Sequence, residues 1–245
     1  MRAPRTIAIV PAHNEEGAIG GVVDEIRAFA ASFDVVVVDD GSSDATASVA
    51  GAHGAAVVSL PFNLGIGGAV QTGFKYALAH GYTRAVRLDG DGQHDPAELT
   101  KLLAVLDQDL ADIVTGSRVA GEAGSGHQPP FLRRAGIVFF ARLVSLLTRQ
   151  RVTDTTSGFQ ALNLRGIALF AGDYPNDYPE VEAIVLVFKH RLRLVEVPVR
   201  MREREHGESS ITFLRSVYYM LKVTLALFVA MVRKYTVPEE EAADR

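Results

Sequence analysis

Two aspartates one residue apart, Asp89 and Asp91, have the types and spacing that most directly predict chemistry in this chain. They come directly after a short, mostly apolar run at residues 85–88. Because residues i and i+2 of an extended segment point the same way, both carboxylates can face one ion. Hard cations such as Mg²⁺ take oxygen ligands, typically one or two carboxylates together with substrate phosphates. The motif predicts a metal–diphosphate site, with a solvated acidic turn as the common alternative for an isolated pair.

Three polar loops that end apolar runs predict a single ligand crevice. The loops are residues 11–15, 39–44 and 89–93. The clearest of the apolar runs is Val35–Val38, directly before the second loop, and four successive valines are typical of a buried strand. Helical spacing between the runs predicts an α/β fold with a mostly parallel sheet flanked by helices, doubly wound over residues 1–116. Ligands bind at the carboxyl ends of the strands in such sheets, so the loops are expected to converge.

Composition narrows the class of protein. The chain has 245 residues, 48% of them hydrophobic, which is enough for one large domain. Its formal net charge of −4 gives no general affinity for nucleic acid. The absence of cysteine excludes disulfides, thiolate metal sites and cysteine nucleophiles. The N-terminus lacks the long apolar core of a signal peptide, so a cytoplasmic location is expected.

The second half of the chain is less regular. An apolar helix is predicted over residues 131–148, helical structure over 184–189 and a strand over 194–201. A long amphipathic or apolar helix is predicted over 213–235, before an acidic tail at 236–245.

The uncharged run 223–232 in that last helix is too short to span a membrane, which takes about 20 apolar residues. Basic residues and tyrosines flank the run, and this pattern favours a helix that lies at a membrane interface. The alternative is a helix buried in the domain or in a homo-oligomer. Interface contact predicts peripheral attachment at the inner face of the cell membrane and would suit a lipid-linked acceptor.

Five motifs, in order, resemble the family 2 glycosyltransferases of the GT-A fold, and among them the polyprenyl-phosphate sugar synthases. The resemblance covers about residues 5–210 and implies a GT-A domain at 1–212, with a nucleotide-binding half at 1–116 and an acceptor half at 117–212. The motifs are residues 10–16, 38–44, 63–69, 89–96 and a C-terminal set made of Gly116–Arg118, Asp154–Phe159 and Arg204 with Gly207–Ser210.

The resemblance implies an inverting, metal-dependent transfer of a sugar from a UDP- or GDP-linked donor to an acceptor, with polyprenyl phosphate as the favoured acceptor. It implies Mg²⁺ or Mn²⁺ held by Asp89, Asp91 and Gln93, and a catalytic set of Asp91, Asp154 and Arg204. The substrate-binding residues that it implies are Pro11, Asn14, Glu15, Asp40, Gly68, Asp89, Gln93, Arg118, Arg133, Arg134 and Ser157.

Simple structural roles compete with binding for some of these positions. Gly68 lies in a segment for which tight helix packing is as good an explanation as ligand contact. Asn14 can cap the helix predicted over residues 15–31. Asp44 is expected to cap the next helix or stabilise its loop, and His94 is expected to be structural.

The acceptor decides whether a base is needed. A phosphate oxygen is already anionic, so arginines that position it matter more than a base. A sugar hydroxyl of a glycan or glycolipid, the alternative acceptor, needs a carboxylate base. Asp154 is the first candidate for that base, and Glu180 and Glu182 are the second. The acidic stretch around residue 180 departs from the pattern of the polyprenyl-phosphate synthases.

Two other classes of function compete with glycosyl transfer. A nucleotidyltransferase would want a glycine-rich segment with Lys and Arg after the first strand, where residues 11–16 are acidic instead. A non-catalytic nucleotide-sugar binding module would not need Asp89, Asp91, Gln93 and Arg204 together, and all four are present.

Overall fold

A computed structural model describes residues 4–118, 131–176, 179–202 and 213–232, in which one seven-stranded sheet is flanked by helices. The strands are β1 (Thr6–Ala12), β2 (Asp34–Asp39), β3 (Ala56–Ser59), β4 (Arg84–Arg87), β5 (Ile113–Ser117), β6 (Gln160–Asn163) and β7 (Leu194–Pro198). The α-helices are α1 (Ile19–Phe29), α2 (Thr46–Ala52), α3 (Gly65–Ala79), α4 (Leu99–Asp107), α5 (Phe131–Thr148), α6 (Leu164–Gly172), α7 (Pro179–Lys189) and α8 (Phe213–Val232), and a 3₁₀ turn at Pro96–Glu98 precedes α4.

The sheet is mixed and mostly parallel, as predicted, in the order β3-β2-β1-β4-β6-β5-β7. Strand β6 runs antiparallel to both of its neighbours, β4 and β5. Strands β1 to β5 all run in the same direction, as the predicted doubly wound arrangement over residues 1–116 requires, but β5 is separated from β4 by a strand from the second half. Strand β6 has only four residues and is followed directly by α6. A strand this short shows too little alternation of polar and apolar residues to be predicted from the sequence.

Helices cover both faces of the sheet, which explains why β1 is buried along its whole length. One core cluster joins the sheet to α1, α2 and α4, through residues such as Val23, Ala50 and Leu102. A second cluster joins the opposite face to α3, α6 and α7, with Phe74 and Phe170 at its centre.

Glycines let α3 approach its neighbours closely. A Cβ on Gly73 would lie 2.2 Å from Cγ2 of Ile9 on β1, and a Cβ on Gly67 would lie 2.3 Å from the carbonyl oxygen of Pro175. At Gly68 a Cβ would lie 2.6 Å from Cβ of Leu64, one turn earlier. This close packing fixes the start of α3 beside the carboxyl ends of β1 and β2.

Helix α8 packs with α5 and α7 in a third cluster, in which Val223 and Leu227 are buried. Its opposite side exposes large apolar side chains. Among the residues that the structure describes, no helix is long and apolar enough to cross a membrane. Among the described side chains of α8, the exposed large apolar ones are Leu225, Phe228, Val229 and Val232.

Candidate active site

The carboxyl ends of β1, β2 and β4 open into one cavity of about 320 Å³. The predicted convergence of the three strand-end loops is thereby confirmed. The start of α3 completes the wall. The lining residues are Pro11, Ala12, His13, Glu15, Asp40, Asn63, Gly65, Ile66, Ala69, Asp89, Gly90 and Asp91.

Asn14 joins the first loop to the second. Its backbone is left-handed (φ 55°), its side-chain Oδ1 accepts a hydrogen bond from the Ser43 N–H at 2.8 Å, and its own N–H donates to Ser42 Oγ at 3.0 Å. The next residue, Glu15, donates its N–H to Thr46 Oγ1 at 2.8 Å. These bonds hold residues 15–18 outside the helix, so the predictions of a helix from residue 15 and of a cap by Asn14 are wrong: α1 begins at Ile19.

Asp40 is almost fully buried, yet it forms part of the cavity wall. Its Oδ1 accepts a hydrogen bond from the Leu64 N–H at 2.7 Å, and its own N–H donates to the Ala12 carbonyl at 2.9 Å. Gly41 has a φ of +66°, and a Cβ there would lie 2.8 Å from the Asn63 nitrogen. The turn therefore requires glycine, and it orients the Asp40 carboxylate between β1 and α3.

Asp44 stabilises the second loop, as predicted. Its Oδ1 accepts the Thr46 N–H at 3.0 Å, and its Oδ2 accepts the Glu16 N–H at 3.2 Å. These two bonds connect the loop after β2 to the loop after β1.

The two aspartates after β4 lie in a tight turn. Gly92 (φ +77°) allows Asp91 Oδ1 to accept the Gln93 N–H at 3.1 Å, and the Gln93 carbonyl accepts the Arg202 N–H at 2.9 Å. The Asp89 side chain is 34% exposed, and both carboxylates line the cavity.

His94 supports this turn from beneath, and its predicted structural role is confirmed. Its Nδ1 accepts the Asp89 N–H at 3.0 Å, and its buried ring stacks on Phe159 at 4.9 Å between ring centroids. Burial lowers the pKa of His94, which keeps the ring neutral and able to accept that hydrogen bond. Burial alone would raise the pKa of Asp89, but the guanidinium groups of Arg87 and Arg118 outweigh it and lower that pKa.

The donor set fits a hard divalent cation. No group of three or more His, Cys, Asp and Glu side chains that could hold a metal occurs within the described ranges. A Mg²⁺-type ion does not require one, because it keeps several waters and completes its shell with substrate phosphates. Two carboxylates, Asp89 and Asp91, on the wall of a cavity large enough for phosphates match that requirement.

Arg118 and Asp154 form a bidentate ion pair beside the site. Arg118 Nε donates to Asp154 Oδ2 at 2.8 Å, Nη2 donates to Oδ1 at 3.0 Å, and Nη2 also donates to the Thr156 hydroxyl. Asp154 is 1% exposed. Burial opposes ionisation, but the hydrogen bonds and charge of Arg118 lower the pKa of Asp154. A buried, fully paired carboxylate of lowered pKa is a weak base, so this geometry favours a structural role for Asp154.

The loop that carries Asp154 is held by a residue without an assigned role in the sequence analysis, Glu196 on β7. Its carboxylate accepts the N–H groups of Thr153 and Asp154 at 2.7 and 2.9 Å, and burial raises its pKa. Ser157 is also buried, and its Oγ accepts the Phe159 N–H at 3.3 Å. The only signal for Glu196 is an acid within an alternating strand.

Arg87 is a second residue that the sequence analysis left without a role. It is 1% exposed at the end of β4, and its Nη2 donates to Glu180 Oε1 at 2.9 Å. The signal in the sequence was a charge within the otherwise apolar run at residues 85–88. Glu180 and Glu182 lie in the first turn of α7, and Glu180 is the residue that accepts this hydrogen bond from Arg87.

Six predicted site residues do not line the cavity, and three more lie where the structure describes no side chain. The six are Asn14, Gly68, Gln93, Arg118, Asp154 and Ser157. Arg204 lies outside the described residues. Arg133 and Arg134 lie on α5, in a part of that helix whose side chains are outside the description.

The sequence matches the model of one protein family, described as glycosyl transferase family 2, over residues 7–168. The chain belongs to glycosyl transferase family 2. The matched region runs from β1 into α6, so it contains the cavity and the antiparallel strand β6. The protein is therefore a glycosyltransferase, and the nucleotidyltransferase and binding-module alternatives are set aside.

Relatives within the family include polyprenyl-phosphate sugar transferases. An undecaprenyl-phosphate mannosyltransferase of Micrococcus luteus is 31% identical over 85% of this chain and 88% of its own. A polyprenol monophosphomannose synthase of Mycolicibacterium smegmatis is 31% identical over 85% of this chain and 81% of its own.

The fold is shared with a solved glycosyltransferase structure, which confirms the GT-A prediction. Glucosyl-3-phosphoglycerate synthase from Mycobacterium tuberculosis, crystallised with Mn²⁺, UDP and glucosyl-3-phosphoglycerate, superposes with a TM-score of 0.70. The match covers 94% of this chain and 80% of that one at 22% identity.

Proposed function

We propose that the protein transfers a sugar, with inversion, from a UDP- or GDP-linked donor to polyprenyl phosphate, with Mg²⁺ or Mn²⁺ at Asp89 and Asp91. The observation that carries the proposal is that Asp40, Asp89 and Asp91 line the same cavity. Relatives that act on undecaprenyl phosphate and polyprenol support this acceptor class, and a Mn²⁺–UDP complex of a structural neighbour supports the donor and metal.

On the donor side, Pro11, Glu15 and Asp40 would hold the nucleoside. Asp40 Oδ1 already accepts the Leu64 N–H, and its carboxylate has further lone pairs that suit the N–H groups of a base. Asn14 and Gly68 would act indirectly. Asn14 connects the loop after β1, which would contact the nucleoside, to the loop after β2. Gly68 allows close packing in the first turn of α3.

Asp89 and Asp91, with Gln93 beside them, would hold the metal against the diphosphate. A divalent ion there would neutralise the charge that develops on the nucleoside diphosphate as it leaves. Asp91 Oδ1 is oriented by the Gln93 N–H, and Asp89 is oriented by its contacts with His94 and Arg87. The turn thus presents two oriented carboxylates before any ligand arrives.

With a phosphate acceptor, no base is required. Arginines would position the acceptor oxygen for attack on the anomeric carbon, opposite the leaving diphosphate. The acceptor phosphate would be contacted by Arg133 or Arg134, and the donor diphosphate by Arg204. Arg118 is not assigned to a phosphate, because it is already paired with Asp154.

A sugar hydroxyl of a glycan or glycolipid is the second candidate acceptor. One observation favours it: Arg87 and Arg118 are each paired with a carboxylate, so neither presents an uncompensated charge to an incoming phosphate. Glu180, whose side chain is 23% exposed, would then be the nearest described alternative to Asp154 as a base.

We also propose that the apolar side of α8 places the enzyme at the inner face of the cell membrane. Phe228 and Val232 are 51% and 82% exposed on that side. Contact with a membrane would bring the cavity to a lipid-linked acceptor. A second copy of the chain on the same side of α8 is the competing occupant.

The experiment that tests the proposed function is a thermal unfolding series with UDP, GDP, CDP and dTDP, each with and without Mn²⁺. A ligand that binds only the native state raises the midpoint by mass action. We expect a shift that depends on Mn²⁺ with UDP or GDP. The matching radiolabelled nucleotide sugar is then offered to polyprenyl phosphate and to a neutral glycolipid.

Label in the polyprenyl-phosphate product supports the favoured acceptor, and label only in the glycolipid supports the hydroxyl alternative. The absence of any metal-dependent shift with all four nucleotides would contradict the proposed donor site.

A further inference from the structure

The largest fully buried side chain described is a charged one, Arg87. It occupies the last position of β4, between the buried Val86 and Leu88. Burying a charge is unfavourable unless it is paired, and apolar residues in such a place are often as stable or more so. The Arg87 Nε has no hydrogen-bond partner within the described part of the chain. Stability alone therefore does not explain an arginine here.

The guanidinium of Arg87 joins three separate segments. Nη2 donates to Glu180 Oε1 at 2.9 Å, Nη1 donates to the Tyr174 hydroxyl at 3.0 Å, and Nη2 lies 3.5 Å from Asp89 Oδ1. Glu180 belongs to the first turn of α7, and Tyr174 follows α6. One cation thus connects the acceptor half of the chain to a carboxylate of the candidate metal site.

Gly158 shows how closely these groups are packed. A Cβ at this position would lie 2.8 Å from Arg87 Nη2 and 2.9 Å from Asp89 Oδ1. The backbone that leads into β6 therefore covers the contact between the guanidinium and the carboxylate. Asp89 is held from this side by Arg87 and beneath by His94.

The charges in this cluster must be balanced for a metal to bind. A guanidinium beside Asp89 attracts the same oxygen atoms that a dication needs, and it repels the dication itself. The shorter bond to Glu180 makes that residue the main counter-ion of Arg87, which leaves the Asp89 carboxylate with its charge available. Without Glu180, the guanidinium would be drawn towards Asp89.

We propose that Arg87 and Glu180 form a charge-balanced positioning pair that orients Asp89 and sets the affinity of the site for its divalent metal. The inference rests on the proposed metal–nucleotide site and goes beyond it, because neither residue lines the cavity. It also accounts for the acidic residue at the start of α7 without a role as a base.

The test compares how tightly the wild-type chain and its variants bind Mn²⁺ in the presence of UDP or GDP. Binding is measured as the loss of the electron paramagnetic resonance signal of free Mn²⁺. Glu180→Gln keeps the shape of the side chain and removes its charge. We expect it to weaken Mn²⁺ binding about tenfold, the scale of effects from residues that orient metal ligands. Nucleotide binding without metal should change little.

A double variant separates charge balance from a general loss of structure. Arg87→Met with Glu180→Gln removes both charges, so Mn²⁺ should bind more tightly to it than to Glu180→Gln alone. Asp107→Asn is the matched control, because Asp107 pairs with Arg84 at the far end of the same strand at 2.6 Å. This control should bind Mn²⁺ as the wild type does. Thermal unfolding of each variant verifies that it is folded.

The outcomes distinguish the two proposals. Wild-type Mn²⁺ affinity in folded Glu180→Gln, or a double variant no tighter than Glu180→Gln, would overturn the inference and leave the proposed function standing. Failure of the wild-type chain to bind Mn²⁺ with either nucleotide would overturn the proposed function and the inference with it.

Discussion

At the scale of single residues, the turn after β4 combines two carboxylates with backbone donors that fix their directions. Asp91 is bonded to the Gln93 N–H, and Asp89 receives support from His94 through its own N–H. Preorganised charges of this kind stabilise a transition state because they need no reorientation during the reaction. Under the proposed function, we expect substitutions of these two side chains to lower the rate of sugar transfer more than they lower the free energy of unfolding.

We predict that Asp91→Ala lowers the rate of sugar transfer by about 100-fold or more, the scale of losing one preorganised electrostatic group. Its free energy of unfolding should change by less than about 1 kcal/mol, since Asp91 is only partly buried. Transfer assays and urea unfolding measure the two effects. Asp24→Asn, which alters an exposed acid paired with His53, is the control and should retain full activity. Normal turnover in Asp91→Ala would rule out the metal assignment.

At the scale of elements, α8 is a helix with one packed side and one exposed apolar side. Val223 and Leu227 face α5 and α7, and Leu225 is 66% exposed. A helix that packs only one side of an apolar segment leaves a surface that suits a membrane interface or another protein.

We predict that the wild-type chain floats with vesicles that contain anionic lipid, and that Phe228→Ser with Val232→Ser weakens this binding several-fold. The expected loss follows from the apolar area removed, at about 25 cal/mol per Å². Because both positions are exposed, the variant should unfold at the wild-type temperature. Equal flotation of both chains would contradict the membrane role, and a wild-type dimer that the substitutions dissociate would favour a second copy as the occupant.

At the scale of the whole molecule, Asp112 connects the ends of β5, β6 and β7 that lie together at one edge of the sheet. Its side chain is fully buried at the start of β5 and accepts bonds from Arg193, at 2.8 Å from the backbone N–H, and from Asn163 Nδ2 at 2.9 Å. Burial opposes ionisation, but the hydrogen bonds from Arg193 lower the pKa of Asp112. Since the pKa is lower in the folded state, the ionised carboxylate stabilises the fold above its unfolded pKa of about 4.

We predict that this stabilisation is lost as the pH falls from about 4 through the folded pKa of Asp112. Asp112→Asn should lower the free energy of unfolding at pH 7 by about 2 kcal/mol, the scale of a hydrogen bond to a charged group. Below about pH 4 the difference from wild type should shrink. Urea unfolding at several pH values measures both effects. Asp109→Asn is the control: Asp109 also pairs with Arg193 but is 84% exposed, and its loss should cost under about 0.5 kcal/mol. An equal loss in both variants would contradict the prediction.

Local patterns in the sequence were sufficient to predict much of the structure of residues 1–116. The run Val35–Val38 predicted β2 because a strand covered on both faces must be apolar at every position. Residues 89–96 predicted the turn that carries Asp89 and Asp91, since two acids directly after a strand can be recognised from the local sequence alone. The apolar spacing of residues 131–148 predicted α5 with the observed bounds. The boundaries at 116 and 212, and the acidic tail at 236–245, stay predictions.

The sequence by itself determined the order of the elements from β1 to β5, the three loops at the strand ends and the family resemblance, because each depends on neighbouring residues. The tertiary structure alone decided that β6 separates β4 from β5, and that Arg87 pairs with Glu180 and Arg118 with Asp154. These partners are 93 and 36 residues apart in the chain. Only the folded backbone brings such groups together, and burial then makes their pairing obligatory, because an isolated buried charge is too costly to retain.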